Sequence, residues 1–214
     1  SKAYAMKTAA KEALLAEKQE EKDYQVLDEM PFYFNGAGYV NKHRDALFLY
    51  EESSGKLTRV TKEAFSTGSA HLSPDGKQVL FTGQSYTVKR KNKSGVYVYD
   101  RETGRTTELL KPRAYDLYDA RWWGEKILLL ATEGKRYGLN ENAQFYTLNP
   151  ASGEAALLAP YEDALGSSVG SDCRLGGGRE WVQEGDKLYF VTTQGGASQV
   201  YCLEEAGEIS PVYT

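Results

Sequence analysis

The chain has 214 residues, of which 41% are apolar, and it carries a formal net charge of −4. This length and apolar content are sufficient for a hydrophobic core, while the acidic balance excludes a global electrostatic attraction to nucleic acid or to an anionic membrane. We therefore expect protein or small-molecule partners, with no nucleic acid and no membrane among them.

Cysteine content and hydropathy indicate the compartment. The two cysteines, Cys173 and Cys202, are too few for a disulfide framework and lack metal-site spacing. We expect two reduced thiols, and a single disulfide is the alternative. The chain shows no leader peptide and no apolar run approaching the ~20 residues of a membrane helix, so a soluble, cytoplasmic protein is predicted.

The first elements in the chain are a helix, a strand and a turn. Residues 1 to 22 contain no glycine or proline and are rich in Ala, Lys, Glu and Leu, which predicts a helix. Its apolar stripe is thin, so we expect it on the surface or inserted between strands. Asp23 to Asp28 then predict a strand, and Asn35 to Gly38 a turn.

A hairpin pattern occurs four times in the remainder of the chain. The first copy, ALFLYEESSGKLTRV at residues 46 to 60, has two apolar runs that flank a polar loop ending in glycine. That pattern is typical of a β-hairpin. The four copies are anchored on Gly55, Gly104, Gly153 and Gly207.

A second hairpin precedes three of these anchors, which makes four strands in each repeat. Its turns are centred on Gly76, Gly124 and Gly185. A repeat of roughly 40 to 55 residues with four strands is typical of a β-propeller blade. A β-sandwich is the alternative, but it has no reason to repeat its turns at a near-constant step. We therefore predict an all-β partial propeller of about four blades over residues 23 to 214, after a helical lead-in over residues 1 to 22.

The connections between repeats indicate which residues line the propeller channel. Residues 111 to 120 and 160 to 172 occupy equivalent places, and the strand after such a connection is the innermost of its blade. Five residues are accordingly predicted to lie near the channel: Tyr118, Asp119, Arg121, Ser171 and Asp172.

One motif is similar to a catalytic signature. Residues 166 to 170, GSSVG, match the G-x-S-x-G nucleophile elbow, which requires a later Asp and His, yet both histidines, His43 and His71, come earlier. Ser168 is therefore predicted not to be a nucleophile. A triad of His71, Asp119 and Ser168 stays open, because triads are defined by geometry, although a structural histidine is favoured. We predict no catalytic, cofactor-binding or metal-binding residue.

Two segments resemble a known family. The turn SPDGKQVLF followed by VYVYDRETG resembles the repeat of TolB-type proteins and of the prolyl oligopeptidase family. The segment KDYQVLDEMPFYFNGAGYVNKHRDALFLY resembles acylaminoacyl-peptidase-like and dipeptidyl-aminopeptidase-like members through its aromatic run, Tyr33, Phe34, Asn35, Gly36, Gly38 and Tyr39. Residues 171 to 174 also suit this family.

The resemblance implies a parent serine peptidase with a propeller and a C-terminal α/β-hydrolase domain that carries Ser, Asp and His. This chain would be the non-catalytic propeller segment, which gates the access of short peptides or acyl-peptides. Its partners would be that hydrolase domain and the peptide substrate. The alternative is a stand-alone TolB-like propeller that serves as a binding scaffold. In either case the open faces of the end blades predict self-association or an unusual closure of the array.

Overall fold

The computed structural model describes residues 9–16, 19, 26–167 and 180–213. These residues form two compact units. The smaller unit comprises the described residues up to His43 together with Thr87–Arg90, and the larger unit comprises Arg44–Tyr86 and the described residues from Lys91 onward. The predicted domain boundary after residue 22 stays a prediction.

The smaller unit contains a helix and a short hairpin. Helix α1 spans residues 9–16, and its two leucines are more than half exposed, as expected of a surface helix. Strands β1 (Tyr33–Phe34) and β2 (Gly38–Tyr39) pair antiparallel, so the turn predicted between them is confirmed. The strand predicted over residues 23–28 is wrong for residues 26–28. The Val26 carbonyl instead accepts a hydrogen bond of 2.9 Å from the Asn41 side chain.

The larger unit consists of four antiparallel sheets, which we number in chain order. Sheet 1 contains β3 (Phe48–Glu51) and β4 (Lys56–Arg59). Sheet 2 contains, in spatial order, β5 (Phe65–Leu72), β6 (Gln78–Ser85), β7 (Gly95–Asp100) and β8 (Thr106–Leu110). Sheet 3 contains β9 (Asp116–Trp123), β10 (Lys126–Thr132), β11 (Gln144–Leu148) and β12 (Ala155–Ala159), with a 3₁₀ helix (Gly138–Asn140) between β10 and β11.

Sheet 4 has a divided first strand. It contains β13 (Ala164–Leu165), β14 (Trp181–Glu184), β15 (Lys187–Gln194), β16 (Ala197–Leu203) and β17 (Ile209–Tyr213). Both β13 and β14 pair with β15. Gly166 and Glu180 each bond to Val191 on β15, at 2.7 and 2.8 Å. The two short strands are therefore the two ends of one interrupted edge strand.

Sheet 3 is buried on both faces, and this sandwiching explains its continuous apolar sequence. On β10, Ile127 and Leu129 pack with Leu80 of sheet 2, whereas the alternate residue Leu128 packs with Leu188 of sheet 4. Side chains of a strand alternate between faces, so a strand covered on both sides must be apolar at every position. Face-to-face stacking of consecutive four-stranded sheets results.

The turn glycines follow the repeat. Seven glycines at the predicted hairpin turns have φ between 56° and 92°, a backbone conformation that other residues resist: Gly55, Gly76, Gly104, Gly124, Gly153, Gly185 and Gly207. The four-strand repeat and its turns are thus as the sequence predicts.

Candidate functional site

The candidate site lies where the first strands of sheets 2, 3 and 4 meet. Two of these strands contain a β-bulge. On β9 the pairing passes from Asp119 opposite Leu130 to Leu117 opposite Ala131, which leaves Tyr118 as the extra residue. On β5 the register shifts between Thr67 and Ala70. A bulge re-aims the side chains beside it, and here it precedes the polar residues of the site.

Asp119 is the centre of the site. Its carboxylate is almost fully buried and accepts hydrogen bonds from side chains on all three sheets. Its Oδ1 lies 2.8 Å from His71 Nε2, and its Oδ2 accepts from Arg121 Nε at 2.7 Å and from Trp181 Nε1 at 3.1 Å. The Ala120 amide also donates to Oδ1 at 2.9 Å. One carboxylate therefore joins β5, β9 and β14.

These partners keep Asp119 ionised. Burial alone would raise its pKa, but the hydrogen bond and charge of His71, followed by those of Arg121, outweigh burial and lower the pKa from 3.8 to about 2. The side chains of Asp119, Arg121 and His71 are 4%, 16% and 33% exposed, so the charged cluster is anchored inside and reaches solvent through its two basic members.

A cavity of about 390 Å³ opens beside this cluster, at the end of the strands that carries the first turn of each sheet. Its walls include His71, Leu72, Pro74, Arg121, Trp122 and Gln183. Gln183 donates to the Trp122 carbonyl at 2.7 Å, which adds a second tie between β14 and β9. The cavity is thus bounded by strands and by the short turns between them.

Two basic side chains leave polar atoms available at the cavity. Arg121 uses only Nε for Asp119, and neither of its Nη atoms bonds to a described residue. His71 likewise uses only Nε2, and within the described part of the chain its Nδ1 has no hydrogen bond. The Nη atoms of Arg121 can donate to an anion that enters the cavity, whereas His71 Nδ1 donates only when the ring carries a proton on both nitrogens, because the Nε2 proton faces Asp119.

The predicted channel residues have different environments. Asp119 is buried, Arg121 is partly buried in the same cluster, and Tyr118 is 50% exposed. Burial, followed by the charge of Asp116, raises the pKa of Tyr118. Ser171 and Asp172 lie outside the described residues. The prediction that these five residues line a channel stays a prediction.

The structure describes two of the three residues of the candidate triad. His71 and Asp119 do form a hydrogen-bonded pair, but Ser168 lies outside the described residues, as does Cys173. Within the described ranges, His71 has no hydrogen bond to a serine, threonine or cysteine. Cys202 is buried and not in a disulfide, and burial raises the pKa of its thiol, which makes it unreactive.

Trp181 and Gln183 were not predicted as site residues. Both lie on β14, and the sequence shows only a short apolar and polar alternation there. Their roles depend on the position of β14 beside β9, which no local pattern encodes. Where the structure describes the chain, no group of three or more His, Cys, Asp or Glu side chains could hold a metal ion.

Comparisons with known proteins agree on the fold. No protein-family model matches the chain, and no curated protein matches its sequence. Among solved structures, it is similar to the acylaminoacyl peptidase of Pyrococcus horikoshii, with a TM-score of 0.60 and 16% identity over 91% of this chain and 28% of that one. It is also similar to a puromycin hydrolase, with a TM-score of 0.53 and 19% identity over 76% of this chain and 24% of that one.

TolB from Acinetobacter baumannii is a further similar structure, with a TM-score of 0.52 and 19% identity over 78% of this chain and 37% of that one. Together with the stacked sheets, these likenesses define the chain as part of a β-propeller and confirm the predicted fold class. The chain spans 24% of the length of the puromycin hydrolase and 59% of the length of a putative TolB from Agrobacterium tumefaciens. Among the described helices, none is long and apolar enough to cross a membrane.

Proposed function

We propose that this chain is the non-catalytic propeller segment of a serine peptidase of the prolyl oligopeptidase family, which acts on short peptides or acyl-peptides. In this proposal the propeller restricts access to an α/β-hydrolase domain that lies elsewhere in the parent protein. The parent is then an enzyme, and this segment supplies the gate and part of the binding surface.

One observation carries the proposal. Residues 44–214, which hold the repeats, make up about 80% of the chain. The likeness to the acylaminoacyl peptidase covers 91% of the chain, so it must extend into the segment that precedes the repeats. That segment contains the aromatic run, and Tyr33 and Tyr39 form an edge-on ring pair there with centroids 5.6 Å apart. The two TolB likenesses cover 78% and 81% of the chain, which is close to the share that the repeats alone make up. The longer match supports a peptidase propeller.

The second candidate is a stand-alone TolB-like scaffold that binds a ligand at its inner cavity. The TolB likeness and the cavity beside Asp119 favour it. The two candidates differ in whether the native polypeptide contains a reactive serine. A cytoplasmic location is part of the proposal and agrees with the free thiol of Cys202.

The last sheet of the array supports self-association or further blades. On β15, Leu188 and Phe190 are buried against sheet 3, whereas the alternate residues Tyr189 and Val191 are only half-buried. An apolar sheet face of this kind is normally covered. We propose that the following blades cover it in the parent protein, and that a second copy covers it in the isolated chain. A strictly monomeric chain at high concentration in analytical ultracentrifugation would contradict the second part.

The proposal is tested on the native protein, isolated from its source cells with an antibody against this chain. We expect it to hydrolyse N-acetylated peptides and to lose this activity after treatment with a serine-directed reagent. The 214-residue chain alone is the control and should be inactive. Serine-dependent turnover by the control would contradict the non-catalytic role, and an inactive native protein would favour the scaffold.

A further inference from the structure

We propose that the cavity beside Asp119 binds a small oxyanion and that its occupant is the terminal carboxylate of a short peptide. The choice of a peptide rests on the proposed function, whereas anion binding follows from the cavity alone. The site consists of Arg121, His71 and the walls that Leu72 and Trp122 supply.

Arg121 is the principal anion ligand. Its guanidinium is planar and carries five donors, of which Asp119 takes only the one on Nε. The two Nη atoms form no hydrogen bond with any residue in the described ranges, and the side chain lines the cavity. A guanidinium fork matches a carboxylate bidentately, so these free donors select a planar oxyanion over a neutral group.

His71, on β5 of sheet 2, provides the second ligand. Its Nε2 is held at 2.8 Å from Asp119, which fixes the plane of the ring. When the imidazole is protonated, Nδ1 becomes a donor and adds a positive charge next to Arg121. Both basic residues line one cavity and come from different sheets, so an anion in the cavity can be bound by two strands.

Asp119 makes the site rigid before any ligand arrives. Its carboxylate is buried and shared among three strands, and its hydrogen bonds to Arg121 and His71 hold both side chains beside the cavity. Trp181 donates to the same carboxylate and completes the clamp. A preorganised donor set binds more tightly, because its ordering cost is met during folding.

The size and lining of the cavity suit the end of a peptide. Its volume of about 390 Å³ lies at the lower end of the range for small-molecule sites. Leu72 and Trp122 add apolar surface beside the basic groups. No acidic side chain is among the described residues that line it. The combination fits a carboxylate attached to a small apolar residue.

Tryptophan fluorescence offers a direct measurement, because all three tryptophans of the protein lie on the strands of this site. Trp122 lines the cavity, Trp181 contacts Asp119, and Trp123 is the next residue on β9. The chain would be titrated with N-acetyl-trialanine as the free acid, with the same peptide as its C-terminal amide, and with inorganic phosphate. We expect a saturable change with the free acid and binding at least ~tenfold weaker with the amide.

Two pairs of variants locate the response. Arg121→Gln should weaken free-acid binding at least ~tenfold, whereas Arg105→Gln, the same charge change at an exposed hairpin turn, should leave it unchanged. Leu72→Glu places a competing carboxylate at a position that is 58% exposed, so it tests the cavity without removing the buried cluster. Leu139→Glu, at 73% exposure on the 3₁₀ helix, is its control.

Each outcome decides the proposal. The proposal is supported if the wild-type chain prefers the free acid and if Arg121→Gln and Leu72→Glu lose this preference. Competition between phosphate and the free acid supports the oxyanion chemistry. Equal binding of acid and amide overturns it, as does no binding of either. Binding of phosphate without the peptide acid overturns the peptide occupant. If the native protein is a serine peptidase but this chain does not bind the peptide acid, the proposed function stands and the anion site is wrong. If the chain binds the peptide acid but its parent has no peptidase activity, the anion site stands and the proposed function is wrong.

Discussion

His71 and Asp119 are 48 residues apart in the chain, yet His71 Nε2 lies 2.8 Å from Asp119 Oδ1 and links the first strands of two consecutive sheets. Asp119, on sheet 3, in turn accepts a hydrogen bond from Trp181 on sheet 4. A single carboxylate thus ties three blades to one another at β5, β9 and β14. The site and the stability of the array depend on the same residue.

Replacing the carboxylate should destabilise the protein. Asp119→Asn removes the buried negative charge that pairs with Arg121 and His71 and leaves these two partly buried basic groups beside a neutral amide. Removing one partner of a buried pair costs about 3 kcal/mol of the free energy of unfolding. Urea denaturation would measure the loss. Asp186→Asn, at an exposed turn, should stay within about 0.5 kcal/mol, and an equally small effect at Asp119 would contradict its role as a clamp.

The contribution of Asp119 should depend on pH in the acid range. Its pKa in the folded protein is lowered to about 2 from an ordinary value of 3.8. The unfolded state therefore binds the proton first, and the stabilisation is complete above about pH 4 and lost as the pH falls toward 2. It amounts to about 2 kcal/mol near neutral pH.

Comparing the wild type with Asp119→Asn isolates the pH-dependent contribution of Asp119 to stability. Their difference in unfolding free energy should shrink by about 1 kcal/mol between pH 7 and pH 3, because at pH 3 the unfolded wild-type chain has largely protonated. Other titrating groups, such as Glu141, are common to both proteins and cancel. A difference that stays constant over this range would contradict the assigned ionisation.

Glu141 should hold the loop before the 3₁₀ helix in place. Its carboxylate accepts hydrogen bonds from the Thr132 hydroxyl at 2.5 Å, from the Arg136 amide at 2.7 Å and from the Gly134 amide at 3.0 Å. The hydroxyl and these amides lower its pKa to about 2. In Glu141→Gln, one acceptor oxygen becomes a donor, so the loop amides lose partners.

Hydrogen exchange measures that loss locally. The Arg136 amide should exchange at least ~tenfold faster in Glu141→Gln, while amides of β10 should change little. Glu125→Gln, in the exposed turn between β9 and β10, serves as the control with the same chemical change. Unchanged exchange at Arg136 would show that the loop is held by other contacts.

Gly83 should be intolerant of any side chain. It has a φ of 155°, and a Cβ atom there would lie 2.4 Å from the Ser66 carbonyl oxygen and 2.5 Å from the ring of Phe65. We expect Gly83→Ala to cost about 3 kcal/mol or more, because both backbone and buried ring would have to move. Gly196→Ala has open space around it and is the matched control in thermal denaturation. Equal stability of the two variants would contradict the close strand packing at the β5 bulge.

The sequence predicted the repeat because its determinants are local. Alternating apolar residues and turn glycines lie within a few positions of each other, and Gly55 and Gly104 have the positive φ that their places in the hairpins require. The strand predicted near residue 26 is absent at residues 26–28, where the Val26 carbonyl accepts a hydrogen bond from the side chain of Asn41, 15 residues away. Apolar alternation does not reveal such a partner.

The candidate site was predictable only in part, for the same reason. The position of Asp119 and Arg121 after a connection between repeats predicts both as channel residues. The sequence indicates His71 only as a possible member of a triad. The role of Trp181 depends on the packing of sheet 4 against sheet 3, and the bulge at Tyr118 depends on the register of β9 with β10. Packing and register are properties of the assembled sheets, so single-strand patterns do not contain them.

The mass of the native polypeptide tests the central proposal most directly. Source-cell extract would be treated with a fluorescent serine-directed probe, separated by size and blotted with an antibody against this chain. The proposal predicts one band, roughly two to three times the 23.8 kDa of this chain, that carries both signals, because further blades and a hydrolase domain require that length. A band near 23.8 kDa that carries no probe would contradict the peptidase and leave the binding scaffold.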